Sequence, residues 1–268
     1  MSTKYSKFTY DCINTFVNGL SSYDLKARGV STTDEYLKRY DNLNIPFTIQ
    51  DTSVVSRAIK IADGWLEEYP ILKKIPWCLI LTDQSIEEGL PHTHGDTIFL
   101  SRSITISNNK PKNIAQTLVH EKVHILQRFK MELFDECYQR VLGFSLVGTT
   151  RSYRVHGSYL RRSNPDINEK IYAYKKKVII QEEYDTDSPT RISGMSSPKF
   201  YVYQGDGLAI SRKEVEDEYD IGEIGSVYQI EHPNEITASM IATMISNGKK
   251  IKPTLIEEHL DKFLRENK

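Results

Sequence analysis

His120 and His124 stand four residues apart with Glu121 beside the first, midway along a stretch from Pro111 to Lys130 in which Ile114, Leu118, Ile125 and Phe129 recur at helical spacing. The pattern predicts a long helix that opens on Pro111, a residue favoured in a first turn, and turns one apolar stripe towards a core. Residues four apart on a helix share a face, so the two imidazoles can reach one metal ion. Glu121 sits one residue round. It is badly placed to be a ligand on that face but can reach a water beside the ion and accept its proton. Zinc lowers the pKa of such a water from about 15.7 to about 7, which makes a neighbouring carboxylate an adequate base. The bland alternative is a pair of surface histidines. The chain has only 7 histidines in 268 residues, and chance does not readily set two of them around a glutamate within a periodic helix.

A catalytic zinc ion takes three protein ligands and leaves one position open, so a third donor is needed. Short spacings are excluded. Gln127 and Lys130 stand where a glycine and a third histidine would fall, the next histidine is His156, and a nearby glutamate ligand would land on Gly143 or Phe144. The best candidate is Glu235 in Glu231-His232-Pro233-Asn234-Glu235, where Asn234 is read as the cap of a new helix. Ile236, Met240 and Met244 could pack that helix on the motif helix and aim the carboxylate at the histidines. The plainer alternative is that Glu235 is an ordinary first-turn acid favoured by the helix dipole. His232, Glu231 and His156 remain alternatives for the ligand.

Around the motif the chain reads as α+β. Phe8 to Leu20 has helical spacing, Thr32 and Glu35 make a capping box, and Asp51, Thr52 or Ser53 can cap a helix burying Val54, Val55, Ala58 and Ile61. Ile75 to Leu81 suits a buried strand, and Thr97 to Ser101 alternates like an edge strand. After a second helix near Glu132 to Val141, Lys170 to Glu183 and Lys199 to Gln204 suggest long, partly exposed antiparallel strands, with Lys175-Lys176-Lys177 as a solvated stretch of strand. Asn234 to Ile245, closed by Asn247-Gly248, and Pro253 to Leu264 complete a helical carboxyl end. The expected organisation is a helical region over 1–70 and a catalytic region over 71–268 with a β-rich insertion at about 145–210.

Lys and Arg total 35 against 36 acids, a net charge of −1. No overall field favours a nucleic acid or an anionic membrane, so neither is an expected partner. Cys12, Cys78 and Cys137 form no close pair, which fits a reducing compartment. The amino-terminal stretch lacks the apolar run of a secretory signal, and Ile75 to Leu81 is far too short to span a bilayer. The expectation is a soluble intracellular protein.

From Ile75 to Met244 the order of elements resembles the zincin superfamily of metallopeptidases, in its gluzincin branch. These are an apolar strand, the Leu90-Pro91-His92-Thr93-His94-Gly95-Asp96 turn, an edge strand, the Thr117 to His124 motif and the Pro233-Asn234-Glu235 helix. The resemblance implies a zincin-like fold with a small mixed sheet, one zinc ion on His120, His124 and Glu235, and Glu121 as general base of peptide hydrolysis. It also implies that a peptide or protein substrate pairs with the edge strand, mapped here onto Thr97 to Ser101. Tyr153, His156, Tyr203, Tyr228 and His232 are candidate oxyanion donors. His92 and His94 could bind a second metal or contact substrate, but a turn beside the cleft is the plainer reading, and Asn164-Pro165-Asp166 is a turn signal first and a site element only if the fold brings it to the zinc. The rival reading is an inactive zincin-like scaffold or interaction protein around a structural zinc.

Overall fold

A computed structural model describes residues 5–107, 110–150, 160–205, 208–219, 230–248 and 253–267 as a mixed α+β protein. Three helices, α1 (Lys7–Asn18), α2 (Ser22–Ala27) and α3 (Thr33–Asn42), come first. The expected capping box opens α3, with Thr32 Oγ1 accepting from the Glu35 N–H at 3.2 Å and the Glu35 carboxylate from the Thr32 N–H at 3.3 Å. In α4 (Ile49–Trp65) the cap is Thr48, not one of Asp51 to Ser53. Asp51 serves instead as the reciprocal partner, accepting from the Thr48 N–H at 2.9 Å, so two orphan donors are satisfied rather than one. A short α5 (Pro70–Lys73) leads into the first sheet.

That sheet has β1 (Leu79–Thr82), β2 (His92–His94) and β3 (Thr97–Ser101) in the order β1-β3-β2, with β1 parallel and β2 antiparallel to β3. It is small and mixed, as expected, but Thr97–Ser101 is its centre and not its edge. The reason is packing on both faces. Phe99 enters a cluster with Ile13, Tyr36 and Tyr40, while Ile98 and Leu100 enter the main core. The terminal hydroxyls that made the strand look half exposed are buried and bonded, as Thr97 Oγ1 is to Thr9 Oγ1 at 3.0 Å. The edges are β1 and β2, and β2 belongs to the stretch read as a turn. Only Gly95 and Asp96 turn, and Gly95 has φ 59° where a Cβ would lie 2.8 Å from Thr9 Cα, so no other residue fits without a shift.

After α6 (Arg102–Ser107), the motif helix α7 runs Pro111–Phe129 and α8 runs Met131–Arg140. Ile114, Leu118 and Ile125 are buried as the stripe predicts, whereas Phe129 ends the helix 53% exposed, beside the Phe8 ring at 5.5 Å. From Leu118 to Gln127 almost every residue of α7 is buried, because α4, α10 (Pro233–Asn247) and the first sheet surround it. Polar side chains on a helix so enclosed must find partners or a ligand.

The second sheet is an antiparallel meander of β4 (Phe144–Thr149), β5 (Lys170–Tyr174), β6 (Val178–Tyr184), β7 (Ser196–Val202) and β8 (Ala209–Ile210). Tyr172, Tyr174, Val178, Ile180 and Phe200 face the main core, and Ile171, Ala173, Ile179 and Tyr201 form a cluster on the other face, so β5 and β6 are more enclosed than their charge suggested. Lys175 and Lys176 have φ 48° and 57°, and with Lys177 they make the β5–β6 turn instead of a stretch of strand. Helices α9 (Arg212–Tyr219), α10 and α11 (Leu255–Glu266) follow. The cap of α10 is His232, and Asn234 lies inside the first turn. Gly248 closes α10 with φ 69°, as Asn247-Gly248 predicts. Among the described residues no helix is long and apolar enough to cross a membrane.

Candidate metal centre

Helix α7 presents His120 and His124 on one face, one turn apart, with ring centroids 4.6 Å from each other. Their Nε2 atoms are 2.9 Å apart. Ile236, Met240 and Met244 pack α10 into the main core as anticipated, and its first turn brings Glu235 Oε2 to 3.4 Å from His120 Nε2 and 3.5 Å from His124 Nε2. Donors around a tetrahedral ion with bonds of about 2.0–2.1 Å stand roughly 3.3 Å apart, so the three separations suit one small divalent metal. Among the described residues no fourth His, Cys, Asp or Glu joins this group.

The hydrogen bonds behind the donors settle which atoms carry lone pairs. Gln127 Nε2 donates to the Asn234 carbonyl at 2.9 Å, which turns Gln127 Oε1 towards His124 Nδ1 at 2.8 Å. An amide oxygen only accepts, so Nδ1 carries the His124 proton and Nε2 is left as a lone pair facing the shared point. On the other side, Asn164 Oδ1 accepts from the Asp166 N–H at 2.9 Å, so its amide group donates to Glu235 Oε1 at 2.8 Å. Glu235 Oε2 is buried and makes no hydrogen bond. A lone pair and an unpartnered carboxylate oxygen aimed at one point in the interior call for a positive charge between them.

Electrostatics agree in direction. Burial alone would raise the Glu235 carboxyl, yet His124 and His120 outweigh it and hold it well below the usual range. Burial would lower His124, but Glu235 and Asp166 raise it to about 10. The negative field that favours a second proton on His124 favours a bound cation at the same place. Glu121 has the opposite environment. Burial first, then Asp166, pushes its carboxyl well above the carboxylate range, and its Oε2 is buried without a partner.

Glu121, His120 and Glu235 border a cleft of ≈ 530 Å³ walled by α7, α10, the Leu90-Pro91-His92 approach to β2 and the loop of Arg162 and Asn164 to Asp166, with His124 buried behind them. That loop, read from sequence as a turn first, is brought to the site and held there from two directions. Asp24 accepts from the backbone and the hydroxyl of Ser163, both at 2.9 Å, and Arg28 donates to the Ser163 carbonyl at 3.1 Å. Arg128 donates to the Pro165 carbonyl at 2.9 Å and pairs with Asp166 at 3.2 Å. Asn234 completes the frame, giving its amide to the Asp166 carbonyl at 3.0 Å and taking the Tyr138 hydroxyl at 2.9 Å. The amino-terminal helices therefore help to position the site.

The other anticipated residues fall elsewhere. His232 caps α10, accepting from the Asn234 N–H through Nδ1 at 3.2 Å while Nε2 faces the Lys170 carbonyl at 3.2 Å, and Glu231 pairs with Arg162 at 3.1 Å. Burial first, then Glu235, raises Glu231 to about 7. Neither is among the converging donors, and neither His232 nor Tyr203 lines the cleft. Tyr153, His156 and Tyr228 lie outside the described residues. His92 and His94 lie on β2, and His92 reaches the cleft. Gln127 and Asn164 were missed as supports of the site. The available signal for Gln127 was a polar residue three places past His124, near enough on the helix to reach its ring. No protein-family model, curated protein or solved structure matches the chain.

Proposed function

We propose that the chain is a zinc-dependent hydrolase with a zincin-like fold, acting on peptide bonds. The observation that carries this reading is the convergence of His120 Nε2, His124 Nε2 and the unpartnered Glu235 Oε2 within 2.9–3.5 Å of one another at the wall of an open cleft. Held by His120, His124 and Glu235, a zinc ion would supply Lewis-acid chemistry, polarising a carbonyl and acidifying a water. Glu121 takes the proton of the attacking water and returns it to the leaving amine. Its burial and lack of a partner on Oε2 suit a group that exchanges protons with a ligand and not with a fixed neighbour. Gln127 keeps His124 in the tautomer with Nε2 free, and Asn164 keeps Glu235 turned inward. Three protein donors, with no fourth among the described residues, leave room for solvent and substrate, which supports an enzyme over a scaffold with a closed shell.

The deciding experiment is metal analysis of the purified protein with turnover of a peptide library. Wild type is expected to hold one zinc per chain, His120→Ala and Glu235→Ala to lose it, and Glu121→Gln to keep it without cleaving any peptide. Zinc retained by Glu235→Ala, or full turnover by Glu121→Gln, would overturn the ligand set or the mechanism respectively.

A further inference from the structure

An extended peptide joins a sheet only where an edge strand offers free backbone N–H and C=O groups. The edge beside the cleft is β2, and in an antiparallel pair only alternate residues turn those groups outward. In this three-residue strand that residue is Thr93. Its N–H donates to Asp166 Oδ1 at 3.0 Å and its carbonyl accepts from Arg128 Nη2 at 2.8 Å. The Thr93 hydroxyl bonds to the same Asp166 oxygen and accepts from Arg128 Nη1. The edge is closed by a clamp that also fixes the loop of Asn164, so a substrate must be gripped by side chains.

One side chain of β2 is equipped for this. His92 Nδ1 lies 2.9 Å from the Leu90 carbonyl, which can only accept, so Nδ1 carries the proton and Nε2 is a lone pair. Nε2 is buried and has no partner, although the residue, 2% exposed, borders the same cleft as His120 and Glu121. The ring is fixed by stacking on Phe99 at 5.0 Å and 11°, with His94 edge-on at 5.3 Å. Burial lowers its pKa, so the acceptor stays open at neutral pH. An acceptor that is rigid, dry and unsatisfied loses free energy until a donor arrives.

We infer that His92 Nε2 accepts a backbone N–H of a bound peptide, replacing the strand addition that the Thr93 clamp forbids. The inference rests on the hydrolase reading for the nature of the ligand. The test uses the zinc-loaded full chain and four probes: acetohydroxamate, acetyl-Gly-Leu hydroxamate, and the two analogues of the latter in which one amide hydrogen is replaced by methyl. Calorimetry is expected to give one methylated analogue about tenfold weaker binding than its parent in wild type, and no such difference in His92→Phe, which keeps the stack on Phe99. In wild type alone, the Nε2 nitrogen resonance of His92 should move when the parent binds and stay when that analogue binds. This second measurement holds even where His92→Phe fails to fold. Equal affinity of parent and analogues for wild type, an equal methylation penalty in both proteins, or no gain of the peptide hydroxamate over acetohydroxamate overturns the role of His92 and leaves the metal site standing. Failure of acetohydroxamate itself to bind, in a protein that takes up no zinc, removes the hydrolase reading and this inference with it.

Discussion

Gln127 Oε1 lies 2.8 Å from His124 Nδ1 while the amide nitrogen of the same side chain is committed to the Asn234 carbonyl at 2.9 Å. One buried amide thus ties the motif helix to the helix of Glu235 and fixes the proton of His124 on Nδ1. Replacing Gln127 with Leu removes the tether and keeps the volume close. The expected result is a folded protein whose zinc affinity, measured by competition with a chelating dye, falls 10–100-fold. Unchanged affinity would mean that His124 needs no orientation from Gln127.

Asn164 and Glu235 offer a charge test of the same centre. The Asn164 amide donates to Glu235 Oε1 at 2.8 Å. Asn164→Asp sets a second carboxylate against the first and should be more disruptive to the zinc-free fold than Asn164→Ala. Added zinc should recover more of the lost melting temperature in Asn164→Asp than in Asn164→Ala, since a cation relieves the repulsion. Thermal melts with and without zinc compare the two.

His232 predicts a pH dependence of stability away from the donors. Burial is the main cause that lowers it to about 3, and its use of Nδ1 as an acceptor at the helix cap requires the neutral ring. The unfolded chain, with a histidine pKa of about 6.5, binds the proton more readily between those values. Stability from this residue is therefore complete above about pH 6.5 and is lost as pH falls towards 3, by up to about 1.4 kcal/mol per pH unit. His232→Asn keeps a capping oxygen and removes that slope. Denaturant unfolding of both proteins at pH 7 and pH 5 should give a smaller drop for the variant, with His92 and His94 contributing equally to each.

Phe99 tests the centre of the first sheet. It is fully buried against Tyr5, Tyr40 and His92. Phe99→Ala should cost about 3–5 kcal/mol in unfolding free energy, because a fully buried ring is removed from between the strand's neighbours, whereas a solvent-exposed position would cost far less. Equilibrium denaturation measures the difference.

Local spacing made the motif helix, the α3 capping box, the Gly248 stop and the pairing of His120 with His124 legible, because each depends on residues within a turn or two of one another. Glu235 is the candidate left once nearer positions are excluded, and the structure sets it beside the two histidines, although the cap of its helix is His232 and not Asn234. Asn234 looked like a cap because asparagine commonly is one, but its side chain is spent on Tyr138 and Asp166 in the interior.

By itself the sequence determined that two imidazoles and a carboxylate ride one long helix, since helical periodicity is a property of the local chain. Which strand stood at the centre of the sheet, and how Gln127, Asn164 and the Arg128–Asp166 pair framed the candidate centre, were decided only by tertiary structure. Those choices depend on burial and on hydrogen bonds between segments far apart in the chain, and neither leaves a period in the sequence.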